Sequence, residues 1–174
     1  MDDVSGDRET LRTWIGRTTA RLASKDFGTG ELAQLRRNDP ATVAGQPAFH
    51  RLMAERDRPI GENEALRWAT LVHVMAITAA HGSALRSGEA LAAAGLSEAR
   101  FTRLMAARGD AFRDQLVLAA RLLASKQIPI HWSDLGDLLM ADEADEETTG
   151  RLRFRIAQNY YRALRKQDQP AKSA

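Results

Sequence analysis

The stretch EALRWATLVHVMAITAA, residues 64–80, decides the fold. Leu66, Ala69, Leu71, Val72, Val74, Met75, Ala76 and Ile77 cover every side of a helix drawn through it. A helix that is apolar all round belongs at the centre of a helical core. Its longest apolar run, Leu71 to Ala80, falls short of the ~20 residues a membrane span needs. Gly82 is its expected C-cap.

Helical spacing continues on both sides of this segment. Upstream, Leu11, Trp14, Ile15, Thr18 and Leu22 form one apolar stripe, with Asp7 placed to cap it and Gly28 and Gly30 to end it. A short helix from Glu31 to Arg37 should stop at Asn38-Asp39-Pro40. Gln46-Pro47 opens the next, through Phe49, Leu52 and Met53, and residues 57–63 break the chain again with Pro59 and Gly61. Downstream, a short helix from Gly88 to Ala94 ends at Gly95, Ser97 caps Glu98 to Arg108, and Asp110 caps a helix through Phe112, Leu116, Ala119, Ala120 and Leu123. Pro129 separates that helix from Trp132 to Met140. Residues 141–147 read as an acidic surface loop, Thr148 to Lys166 as the last helix, and 167–174 as a disordered tail. β-Branched residues are few and strand patterning is nearly absent. The expectation is an all-α chain of two small helical bundles, 1–90 and 91–166, divided near residues 82–96.

The 174 residues suffice for a core without covalent staples, and the absence of cysteine removes disulfides and thiolate chemistry. That suits a reducing cytoplasm, and the acidic start, MDDVSGDRE, does not read as a signal peptide. A net charge of +2 conceals segregation: residues 2–9 sum to −3, residues 142–147 to −5, and the remainder to +10. Twenty-one of the 25 basic residues are arginine, whose planar fork meets phosphate bidentately. A GC-rich coding sequence also favours arginine, so placement carries the argument, not the ratio.

Placement is most informative in the last helix. With Phe154 at zero and 100° per residue, Tyr160, Leu164, Ala157, Tyr161 and Phe154 span an apolar arc that Leu152 and Ile156 extend. The sector from about 20° to about 140° holds Arg165, Gln158, Arg151, Arg162, Arg155, Lys166 and Asn159. Five cations thus share a stripe that no acid of the helix interrupts, and such like-charge neighbours repel by some tenths of a kcal/mol each. A nucleic-acid backbone would offset that repulsion; pairing with the acidic residues 142–147 is the structural alternative. Arg153 falls inside the apolar arc and is expected to be buried and salt-bridged, or to snorkel outward. Tyr160 and Tyr161 read as half-buried, which argues against base stacking.

LAAAGLSEARFTRLMAARGD, residues 91–110, has a helix-turn-helix outline with Arg100 and Arg103 on an exposed flank. Any two helices joined by a capped turn share that outline. Arg108, Arg113 and Arg121 add charge that Asp110 and Asp114 partly cancel, and Arg36 and Arg37 close a short helix where cations are favoured in any case. Catalytic patterns are missing. His50, His73, His81 and His131 make no metal-ligand spacing, there is no glycine-rich phosphate loop, and no serine nucleophile motif occurs. His73, on the core helix, reads as a satisfied buried imidazole. Neither metal nor cofactor is expected.

The ordered set of Trp14, ELAQLRR at 31–37, AFHRLM at 48–53, LSEARFTRLMAARGD at 96–110, LAARLLASKQIPIHW at 118–132 with LGDLL following, and RLRFRIAQNYY at 151–161 resembles the CasB family, the small subunit of the type I-E CRISPR complex Cascade. The resemblance implies two helical bundles without catalytic activity. It further implies two copies in an RNA-guided complex with the other Cascade subunits, touching guide RNA, target DNA and the displaced DNA strand, and stabilising the R-loop in antiviral defence. Arg36 and Arg37, then Arg100, Arg103 and Arg108, and then Arg151, Arg153 and Arg155 match the family's basic positions. The family's last helix would carry more tryptophan where this chain has Phe154 and Ile156, and both read here as core. The candidate nucleic-acid contacts are therefore Arg36, Arg37, Arg100, Arg103, Arg108, Arg121, Arg151, Arg155, Arg162, Arg165 and Lys166. A helix-turn-helix transcriptional regulator, with Glu98 to Arg108 as recognition helix, is the alternative.

Overall fold

The computed structural model describes residues 10–57, 59–79, 84–141 and 143–169. They form ten α-helices, a short 3₁₀ turn at Glu62–Glu64 and one two-residue strand pair, so the chain is all-α. The expected caps Asp7 and Gly82, and residues 170–174 of the tail, lie outside the described residues.

Helix α1 is Leu11–Ala23, α2 Thr29–Arg37, α3 Pro40–Ala44, α4 Pro47–Ala54 and α5 Ala65–Ile77. Thr10 caps α1, its hydroxyl accepting from the Thr13 amide. Gly30, expected to end the preceding helix, lies inside α2, and Gly28 precedes that helix as its N-cap. Pro40 stops α2 as expected, but it also starts α3. Asp39 accepts from the Thr42 amide, and proline at the first helical position loses only an amide that would have no partner.

Every residue of α5 from Trp68 to Ala76 is buried. It packs against α2 and α3 on one side, and against α8 (Gly109–Ser125) and α9 (Ser133–Met140) on the other. Buried side chains from both sides of residues 82–96 thus form a single cluster. Trp14 meets Trp68 edge-on at 5.1 Å between ring centroids, and the Trp132 indole donates to the Thr78 hydroxyl at 2.8 Å, tying the start of α9 to the end of α5.

His73 sits in this core with no exposure. Its Nδ1 lies 2.7 Å from the Leu35 carbonyl, which only accepts, so the proton is on Nδ1. Nε2 is buried without a hydrogen-bond partner. Burial pushes this imidazole below its usual 6.5, because the charged ring would have no water around it. The unfolded chain takes up that proton near pH 6.5, whereas the folded chain does so only at lower pH. Stability from this group is therefore complete above about pH 6.5 and declines as pH falls from there through the folded value, by at most about 1.4 kcal/mol per unit. Denaturant unfolding of the wild type and His73→Gln at pH 7.5 and pH 5.5 should show a smaller pH dependence in the variant; identical dependence contradicts a neutral buried His73.

The second half holds α6 (Ser87–Ala93), α7 (Glu98–Ala106), α8, α9 and α10 (Glu146–Asp168). Gly95, at φ +75°, makes the turn between α6 and α7, and the Ser97 hydroxyl accepts from the Arg100 amide as expected. Asp110, expected as a cap, instead lies in the first turn of α8, where it pairs with Arg113. Strand β1 (Leu85–Arg86) pairs in parallel with β2 (Ile130–His131) and closes the seam before α6 and α9. The residues expected as an acidic loop partly belong to α10. Asp145 caps it through the Thr148 amide, which holds the carboxyl below its ordinary value, and Glu146 and Glu147 occupy its first turn. Carboxylates there complement the helix dipole, so this negative charge has a local structural use.

Candidate nucleic-acid interface

Helix α10 is positioned by what packs beneath it. Gly88 brings α6 against the α10 backbone at Ile156 and Tyr160. The buried line of α10 runs through Thr149, Leu152, Ile156 and Tyr160. Tyr160 is fully buried: its hydroxyl donates to the Leu96 carbonyl at 2.5 Å, and its ring stacks on Phe101 of α7 at 3.9 Å. Burial pushes its phenol upward.

This line lies farther round the helix than the apolar arc implied. Ile156 is buried as expected, but Phe154 is 65 % exposed and Tyr161 45 %. The expectation that Phe154 is core, and that both tyrosines are half-buried, is therefore corrected. A wheel counts every aromatic as inward-facing, whereas the close approach at Gly88 sets which face is covered. Arg153 is half-buried, not fully buried, and in place of the expected salt bridge its Nε donates to the Met105 carbonyl at the end of α7, 2.9 Å away. Burial, with Arg108 adding repulsion, lowers its pKa.

The five-cation stripe divides. Arg155 is bound, 2.9 Å from Asp134 and 3.8 Å from Asp137 of α9. Arg12 of α1 reaches the same carboxylates at 3.1 and 2.7 Å, so two arginines and two aspartates tie α1, α9 and α10 together. Hydrogen bonding to Asp137 raises the Arg12 pKa. Arg151 approaches Glu147 at 3.6 Å one turn back, with both side chains largely exposed, so that pair is weak. Arg162, Arg165 and Lys166 are exposed and hold no ion pair among the described residues. The acidic residues 143–147 therefore reach the stripe only at Arg151.

The other candidates separate in the same way. Arg36 donates to the carbonyls of Ala76 and Ala79, 2.7 and 3.3 Å away, and so closes the C-terminal end of α5. Arg108 donates to the Met105, Ala106 and Ala107 carbonyls at 3.2, 2.7 and 2.9 Å and caps α7. Arg37 and Arg121 are exposed, without an ion pair among the described residues. Arg100 and Arg103 border a groove of about 290 Å³ between α7 and α8, floored by Leu96, Leu104 and Leu118. They face α8, whereas Phe101 on the same helix faces α10. Sequence reading missed Arg12 and the exposed Phe154; neither shows a local signal, because the partners of Arg12 are more than 120 residues away.

No group of three or more metal-ligating side chains occurs among the described residues, and no described helix is long and apolar enough to cross a membrane. A family model described as CRISPR-associated protein Cse2 matches residues 31–161, from α2 into α10. Arg162, Arg165 and Lys166 lie just past the matched span. No curated protein matches the chain.

Proposed function

This chain belongs to the family of CRISPR-associated protein Cse2, a structural subunit of Cascade, and from that membership we propose that it is a non-catalytic subunit that holds nucleic acid by its phosphate backbone. The observation that carries this reading is the exposed cationic end of α10, where Arg162, Arg165 and Lys166 have no acidic partner among the described residues. Its ligands are the guide RNA–target DNA hybrid and the displaced strand, and its effect is to stabilise the open R-loop. Base pairing between guide and target supplies sequence recognition in such a complex, so the protein's share is electrostatic and indifferent to sequence. Two copies act alongside the other Cascade subunits in the cytoplasm.

Of the remaining candidates, Arg37, Arg100, Arg103, Arg121 and Arg151 are placed to add charge, while Arg36, Arg108 and Arg155 act first as structural ties. Selection from a random pool of DNA duplexes tests this reading against the regulator. The isolated chain should enrich no motif, whereas one preferred site, bound at least a thousandfold over the pool, would overturn backbone binding in favour of a helix-turn-helix reader.

A further inference from the structure

Phe154 and Tyr161 lie seven residues apart on α10, which places them about 10 Å apart along the axis and within about 20° of one another around it. Both are large apolar side chains left to solvent. Tyr161 is held nearly perpendicular to Phe101 and to Tyr160, at 6.0 and 5.2 Å, and those two rings are themselves locked in a buried stack. Its exposed surface is therefore pre-positioned. Phe154 has no ring neighbour among the described residues. Each aromatic has a cation within one turn: Arg151 precedes Phe154 by three residues and Arg165 follows Tyr161 by four.

We propose that Phe154 and Tyr161 form a ledge on which unpaired bases of a single nucleic-acid strand stack, while Arg151, Arg162 and Arg165 hold the strand's phosphates. This rests on the reading of α10 as a nucleic-acid surface and narrows it to strands whose bases are free. Aromatic faces beside a cationic track suit single strands, because every base offers a π-face while a duplex hides its own. Charge complementarity favours this occupant over a protein: flat apolar rings bordered by exposed guanidinium groups, Arg151 only weakly paired with Glu147, match the alternation of base and phosphate along a strand.

The test compares two strands of equal length and charge, one of mixed-sequence DNA and one abasic throughout, each titrated against the full chain. The wild type should bind the base-bearing strand more tightly than the abasic one. Phe154→Ala with Tyr161→Ala should weaken binding of the base-bearing strand by on the order of tenfold or more and leave the abasic strand unchanged. Phe154→Ala alone, at a residue 65 % exposed and outside the buried core, guards against a folding defect and should give part of that loss. In Phe154→Trp the new indole should be quenched by the base-bearing strand only. Equal affinity for both strands, with no effect of either alanine variant, overturns the ledge and leaves backbone binding standing. Failure of the wild type to bind either strand at low salt overturns both.

Discussion

Gly88→Ala lowers the stability of the chain by about 3 kcal/mol, at the upper end of what overpacking usually costs. A methyl group at this position would lie 2.7 Å from the Tyr160 amide nitrogen, closer still to the Ile156 carbonyl oxygen, and 3.0 Å from the Asn159 Cβ. None of these atoms moves by a side-chain rotation, so α6 must shift as a body away from α10. For a chain of this length the loss corresponds to a fall in melting temperature of roughly 6–12 °C. Gly150→Ala is the control: it lies in α10, the helix that Gly88 packs against, with nothing within 4 Å of a new Cβ. It should hold or raise stability, since glycine in a helix costs roughly 0.5–1 kcal/mol relative to alanine. If the two variants melt alike, α6 and α10 do not meet as described, and the exposed face of α10 is not the one assigned here.

Reversing three charges, with Arg162, Arg165 and Lys166 all changed to Glu, abolishes binding of single-stranded nucleic acid at moderate salt. Each reversal removes one attraction to phosphate and adds one repulsion, and none of the three side chains holds an ion pair among the described residues. Arg165 and Lys166 lie in the last turn of α10, where cations complement the helix dipole. The variant therefore loses up to roughly 1 kcal/mol of stability per reversed residue in that turn, which a melt will show separately from binding. The same dipole accounts for a cation at 165 or 166 but not for Arg162 one turn earlier, so the patch exceeds what the helix alone requires. Arg36→Ala should do the opposite: stability falls by about 1–3 kcal/mol as the carbonyls of Ala76 and Ala79 lose their donor, and binding stays near wild type. Equilibrium binding and thermal unfolding of both variants check this division.

Helices were legible in the sequence wherever the signal was local. The all-round apolar stretch became the buried core helix, and Ser97, Gly95 and Pro47 mark helix ends as their chemistry predicts. Pro40 shows the limit of a local stop signal, since the same ring that ends α2 begins α3. The candidate site was less legible because its residues are decided by long-range partners. Counting charges along α10 could not reveal that Arg155 is claimed by Asp134 and Asp137, which approach from another helix. Arg36 looked like an ordinary cation at the end of its own helix and proved to cap a different one. Phe154 carries no mark that separates a core phenylalanine from an exposed one; only the contact at Gly88, 66 residues earlier, turns it outward.

The salt dependence of single-strand binding tests the central claim most directly. Each phosphate neutralised contributes about −0.7 to the slope of log affinity against log salt. Replacing Arg162, Arg165 and Lys166 together with alanine should make that slope shallower by about 2. A slope the same as wild type would mean that these cations touch no phosphate, and would contradict the assignment of α10 as the nucleic-acid surface.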